Sequence, residues 1–205
     1  MQAALAIFVV RNSILRTLPA CAERALTLKP GDVRPYTTYA HHTLDFLRCH
    51  LDAMDEIWYP AFAKFNAQFE AQRKVHQELH QQINACDALL TTSLAKDADP
   101  RGRQQVTQEL TKSLTNLTSA CKTVFAQEET PIRALNRTVP TETMAALEEQ
   151  QRQQRVAKMG EWGHLWAATY MLASLSQQER EVFPPGVPNI AKSLMMRTGG
   201  WKFKR

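Results

Sequence analysis

The sequence has 205 residues, of which 44% are hydrophobic and 22% charged, and its net charge is +5. These values are typical of globular proteins and exclude a disordered or fibrous chain. The basic residues are interspersed with acidic ones instead of forming a patch, so we expect no nucleic-acid partner. The length fits a single domain, 1–205, with a helical bundle over about 3–137 and a C-terminal helix and tail over about 141–205.

The first predicted helix covers about residues 3–27. It begins with the apolar stretch AALAIFVV, which no basic segment precedes and which Arg11 ends after eight residues. That is too short for a membrane span and lacks the basic start of a secretion signal, so we predict a core helix and no membrane partner. The four cysteines lack CxxC spacing, which favours reduced, buried thiols and a cytoplasmic protein.

Three further amphipathic helices follow, over about 32–58, over about 64–95, and from Pro100 to a bend or end at Pro131. Apolar residues recur at helical spacing in each, and the connections are short, which predicts an all-α, antiparallel four-helix bundle. An additional helix, about 141–176, is polar up to Arg155 and apolar from Trp162 to Leu172. With an aromatic tail (Phe183, Trp201, Phe203), its apolar half is predicted to cover one end of the bundle.

The segment VHQELH places His76 and His80 four residues apart on the third helix, where two imidazoles face the same side. This spacing suits a shared metal ion, and it suits two hydrogen-bonded core histidines equally well. Metal sites inside bundles take ligands from facing helices. His50 on the second helix and Glu129 on the fourth have that position.

The order VRNSILR, HLDAMDEIWYP, VHQELH and FAQEETPIRAL resembles the hemerythrin-like, or HHE cation-binding, family, especially its fungal branch. The resemblance covers nearly the whole chain. It implies a four-helix bundle that holds two irons through a His on the first helix and HxxxE on the second. The third helix of the family supplies HxxxH, and the fourth supplies a His followed by a carboxylate.

Carried over to this chain, the resemblance implies a degenerate ligand set. The matching positions are His50, His76, His80 and Glu129. Arg11 and Phe125 stand where the family has histidines, and Met54 stands where it has a glutamate, although a slip of one residue brings in Asp55. Because arginine keeps its charge in proteins, Arg11 disfavours a cation beside it, and we expect no complete diiron centre.

Three functions remain open. In the first, no metal cofactor is bound, Arg11 pairs with Glu129, and the interior pocket binds or transforms a small organic molecule as an enzyme of secondary metabolism. The predicted catalytic residues are Arg11, His50, His76, His80 and Glu129, and the predicted pocket lining is His42, Met54, Trp58 and Phe125. In the second, His50, His76, His80 and Glu129 bind one Fe, Mn or Zn ion. In the third, the protein is a non-catalytic binding or structural bundle.

Overall fold

The apolar stripes of the sequence lie on helices in the computed structural model, which describes residues 2–91, 100–135, 138–182 and 187–199. No described residue belongs to a β-strand, which confirms the all-α prediction. The helices are α1 (Gln2–Leu26), α2 (Val33–Ala53), α3 (Tyr59–Phe62), α4 (Gln68–Leu89), α5 (Pro100–Leu135), α6 (Thr141–Ser174), α7 (Gln177–Val182) and α8 (Asn189–Gly199). Over these ranges, no helix is long and apolar enough to cross a bilayer.

Four long helices form the centre of the fold. Helix α1 packs against α2 and α5, and α4 packs against the same two helices, which closes a ring of four. Helix α6 lies across α1 and α2, and α8 packs on α6. The additional helix is therefore present, while the hemerythrin-like identity of the bundle stays a prediction. The aromatic tail residues Phe183, Trp201 and Phe203, and the side chains of Trp162 and Trp166, lie outside the described residues.

The interior consists of two apolar clusters with a polar layer between them. Along α1, Ile7 belongs to one cluster and Ile14 to the other, and Arg11 lies between them. On α2, α4 and α5 a polar residue likewise lies between residues of the two apolar clusters. The residues between the clusters are His50 on α2, His76 on α4 and Glu128 on α5, and all are buried. We call Arg11, His50, Asp55, His76 and Glu128 the polar layer.

The second helix, predicted over about 32–58, does not end before Pro60. It passes into a π-helical turn, Met54–Trp58, in which the backbone N–H of Tyr59 bonds to the carbonyl of Met54, and then continues as α3. Proline lacks an N–H, and its ring clashes with the carbonyl four residues earlier in a regular α-helix. The wider π turn relieves this conflict and inserts one extra residue ahead of Pro60.

Candidate functional site

A buried ion pair joins α1 to α5. Arg11 Nη2 donates to Glu128 Oε2, and the two residues are 2% and 0% exposed. Arg11 Nε also donates a long hydrogen bond of 3.4 Å to His50 Nε2 on α2. The Phe125 ring lies 4.7 Å from the guanidinium carbon and 5.6 Å, edge to face, from the His50 ring. Phe125 therefore packs against both groups at once and fixes their relative position.

His76 is held between two carboxylates. Its Nδ1 lies 2.8 Å from Asp55 Oδ1, and its Nε2 lies 3.1 Å from Glu128 Oε1. Burial disfavours the charged ring, but these two contacts outweigh it and raise the pKa of His76 above its ordinary value of 6.5. Burial alone would raise the pKa of Glu128, but His76 and Arg11 bring it below its ordinary value. When His76 is protonated, two cations and two anions alternate across the layer and their charges cancel.

His50 is the uncharged member of the layer. Burial and the positive charge of Arg11 hold the pKa of His50 well below its ordinary value of 6.5. A neutral imidazole has one acceptor nitrogen and one N–H donor. Because Arg11 can only donate, Nε2 must be the acceptor, and the hydrogen of His50 is on Nδ1. Arg11 therefore selects both the charge and the tautomer of this ring.

Glu129, the predicted acidic residue of α5, does not lie in the interior. Its side chain is 47% exposed and pairs with Arg133, four residues along the same helix. Glu128 has the interior position instead. Neighbouring residues on an α-helix point about 100° apart, so of two adjacent residues one can point into the interior and the other into the solvent. The spacing of seven residues from Cys121 to Glu128 is the sequence signal that identifies the correct residue.

The second helix contributes the carboxylate of Asp55 to the polar layer, whereas Met54 points into an apolar cluster. Met54 is fully buried in the apolar cluster that contains Trp58 and Phe62. The π turn places Asp55, five residues after His50, against His76. Asp55, the alternative to Met54 that the sequence offered, is therefore the residue that contacts His76, and the π turn accommodates one residue more than an α turn at this point.

The remaining predicted residues lie around this layer or away from it. His80 is at its solvent edge, 27% exposed, with Nε2 3.7 Å from carboxylate oxygens of Asp52 and Asp55. The hydroxyl of Tyr59 lies 3.3 Å from His76 Nε2. Trp58 Nε1 donates to Gln151 on α6, 3.1 Å away. His42 is partly buried on α2, eight residues and about 12 Å along the helix from His50.

These residues do not fit a diiron or single-metal centre. Arg11 binds the interior carboxylate that a metal would require, and Glu129 points away from the three histidines. Across the described ranges, no group of three or more His, Cys, Asp or Glu side chains is arranged to hold a metal ion. A fixed positive charge at the centre of the donor set also repels a cation, most strongly in a poorly solvated interior.

A cleft between α2 and α6 reaches the polar layer at His50. It encloses about 20 Å³, which is room for one small polar group, and is lined by Val10, Phe46, Cys49, His50, Gln151, Arg155 and Ala167. A second cleft, of about 420 Å³, has Tyr59 and Phe69 in its wall. Of the polar layer, His50 is the one member among the described lining residues of either cleft.

Arg155 is a site residue that the sequence analysis did not identify. It lies at the end of the polar half of α6, but burial lowers the pKa of its guanidinium. A signal was present, since Met144, Leu147, Gln151 and Arg155 follow one another at helical spacing and the first two are buried. Arg155 continues the inner face of α6.

The comparison with known proteins gives one full-length relative. The chain is 37% identical over 205 residues to the xanthocillin biosynthesis cluster protein F of Aspergillus fumigatus, and the match covers 100% of this chain and 89% of that protein. No family model and no solved structure matches the chain. The match to protein F spans every helix that contributes to the polar layer.

Proposed function

Because this chain belongs to the same family as the xanthocillin biosynthesis cluster protein F, we propose that it binds or transforms a small organic molecule in secondary metabolism, without a metal cofactor. The observation that carries the proposal is the state of His50. This ring is buried, uncharged and held in one tautomer by Arg11, and it lines a cleft. Because the ring lines the cleft, it is placed to contact a ligand there.

The chemistry follows from the tautomer. With Nε2 occupied by Arg11, His50 presents an N–H donor and not a base. As a neutral donor that lines the cleft, it stabilises negative charge on a ligand oxygen. Arg11, Glu128 and His76 are positioning residues, since they act on the ligand through His50. The hemerythrin-like ancestry stays part of the proposal, supported by the four-helix distribution of these side chains.

One donor of the polar layer is unsatisfied, although it belongs to Arg11, which lines neither cleft. Arg11 Nη1 is buried and has no hydrogen-bond acceptor among the described residues. A buried donor without a partner costs about 1–3 kcal/mol, so native proteins seldom keep one unless water or a ligand completes it. The layer thus has unused donor capacity on the side chain that orients His50.

Xanthocillin and a metabolite extract from a culture that makes it are the first ligands to test. We expect the purified protein to retain or convert at least one compound, detected by mass spectrometry. The His50→Gln variant should reduce retention about tenfold or more, because one buried donor to a developing charge is worth that much. His41→Gln is the matched control, because His41 is on the same helix, pairs with Asp87 and lies outside the polar layer, and it should leave retention unchanged. Retention of nothing, or equal effects of both variants, would overturn the proposal.

Metal independence has its own measurement. Protein purified without a His-tag and then exposed to Fe, Mn or Zn should contain far less than one equivalent of each by elemental analysis. A chelator should not alter ligand retention. One bound equivalent that disappears in His76→Ala/His80→Ala would instead establish the single-metal function.

A further inference from the structure

The cleft between α2 and α6 has a cation that no described residue neutralises. Arg155 is partly buried, and no carboxylate of the described residues pairs with it. The other basic residues of the same helix differ, since Arg152 pairs with Glu149 and Lys158 pairs with Asp52 and Glu56. An arginine taken partly out of water without a counter-ion is unfavourable, and an anionic ligand removes that cost.

The neighbouring polar groups are also donors. His50 has its N–H on Nδ1, as argued above, and Gln151 uses its carbonyl oxygen to accept from Trp58, which leaves its amide N–H groups available. Burial raises the pKa of Cys49, so this thiol is uncharged at neutral pH. No Asp or Glu is among the described residues that line the cleft. The described residues of the cleft therefore present one positive charge, several donors and no acidic group.

The remaining lining residues are apolar, and the enclosed space is small. Val10, Phe46 and Ala167 contribute hydrocarbon surface, and about 20 Å³ accommodates a head group but not a whole molecule. Arginine binds planar oxyanions through two parallel N–H groups, which matches a carboxylate.

We propose that this cleft binds the carboxylate of a small organic acid, with Arg155 as the charge anchor, His50 and Gln151 as hydrogen-bond donors, and the apolar part of the acid against Phe46 and Val10. This rests on the proposed function and specifies its ligand class. Arg11 does not serve as the anchor, because Glu128 already neutralises its charge.

The test uses benzoate and phenylacetate as anionic probes and benzamide as a neutral probe of similar shape, measured by calorimetric titration of the full chain. Arg155→Gln should weaken binding of both acids at least tenfold and leave benzamide within twofold. Arg152→Gln is the matched control, since it removes the same charge from an exposed position on the same helix. It should change every affinity less than twofold.

Three results would overturn the carboxylate site: no saturable binding of either acid, equal effects of the two arginine variants, or equal weakening of acid and amide. Unchanged circular dichroism and melting of Arg155→Gln verify that the variant is folded. Failure here is distinguishable from failure of the proposed function. If the acids do not bind but a neutral metabolite is retained in a His50-dependent manner, the function stands and only its ligand class is wrong.

Discussion

Replacement of Glu128 by Gln tests whether the polar layer is a true buried ion network. Both carboxylate oxygens are in use, Oε2 by Arg11 and Oε1 by His76, and the residue is 0% exposed. The amide of the variant has only one acceptor oxygen, so its NH₂ group must face either Arg11 or His76, which both donate to Glu128. Arg11 also loses its counter-ion. Removal of one partner of a buried pair costs about 3–5 kcal/mol.

Glu129→Gln is the control, because it is the same change one residue later on an exposed side chain. Its pair with Arg133 is of the kind worth about 0.3–0.5 kcal/mol. Urea unfolding followed by circular dichroism measures both. With a slope of about 1–3 kcal/mol per M, Glu128→Gln should lower the midpoint by about 1 M or more, while Glu129→Gln should hardly move it. Equal, small shifts would refute the assignment of Glu128 to the interior.

Three further predictions concern the same layer. The double variant Arg11→Met/Glu128→Leu should be more stable than either single variant, since apolar replacement of a whole buried pair is often neutral or stabilising by about 1–4 kcal/mol. Urea unfolding of the wild type, both single variants and the double variant measures this. Additive losses of stability in the double variant would contradict it. The two histidines should give opposite pH dependence of the free energy of unfolding. The raised pKa of His76 makes its stabilising contribution complete below pH 6.5, and this contribution is lost as the pH rises through the raised pKa. The lowered pKa of His50 makes its contribution complete above pH 6.5, and this contribution is lost as the pH falls through the lowered pKa. His76→Gln should therefore abolish the alkaline loss of unfolding free energy and keep the acid loss. Asp55→Asn should lower the pKa of His76, measured by NMR titration of the ring, and an unchanged pKa would show that Asp55 does not hold the proton on that ring.

The candidate site divides into residues that the sequence identifies and residues that it does not. The sequence identifies His76 through its spacing from His80, His50 through its place on a facing helix, and Arg11 through the resemblance, and all three are buried in the structure. The prediction missed Glu128 by one position. Two glutamates, Glu128 and Glu129, are adjacent in the sequence, and counting four residues from Phe125 along the apolar face of α5 selects Glu129. Only the packed helix distinguishes the buried glutamate from the exposed one.

The sequence by itself determined the all-α class, the four long stripes and the presence of polar groups inside them, because helical periodicity is a local property of the chain. The tertiary structure decided three things. The π turn before Pro60 exchanged Met54 for Asp55, since one added residue rotates every side chain that follows. Packing of α6 on α2 turned Arg155 from a surface residue into the lining of a cleft. Contact between α1 and α5 paired Arg11 with Glu128, because which charges meet depends on which helices become neighbours.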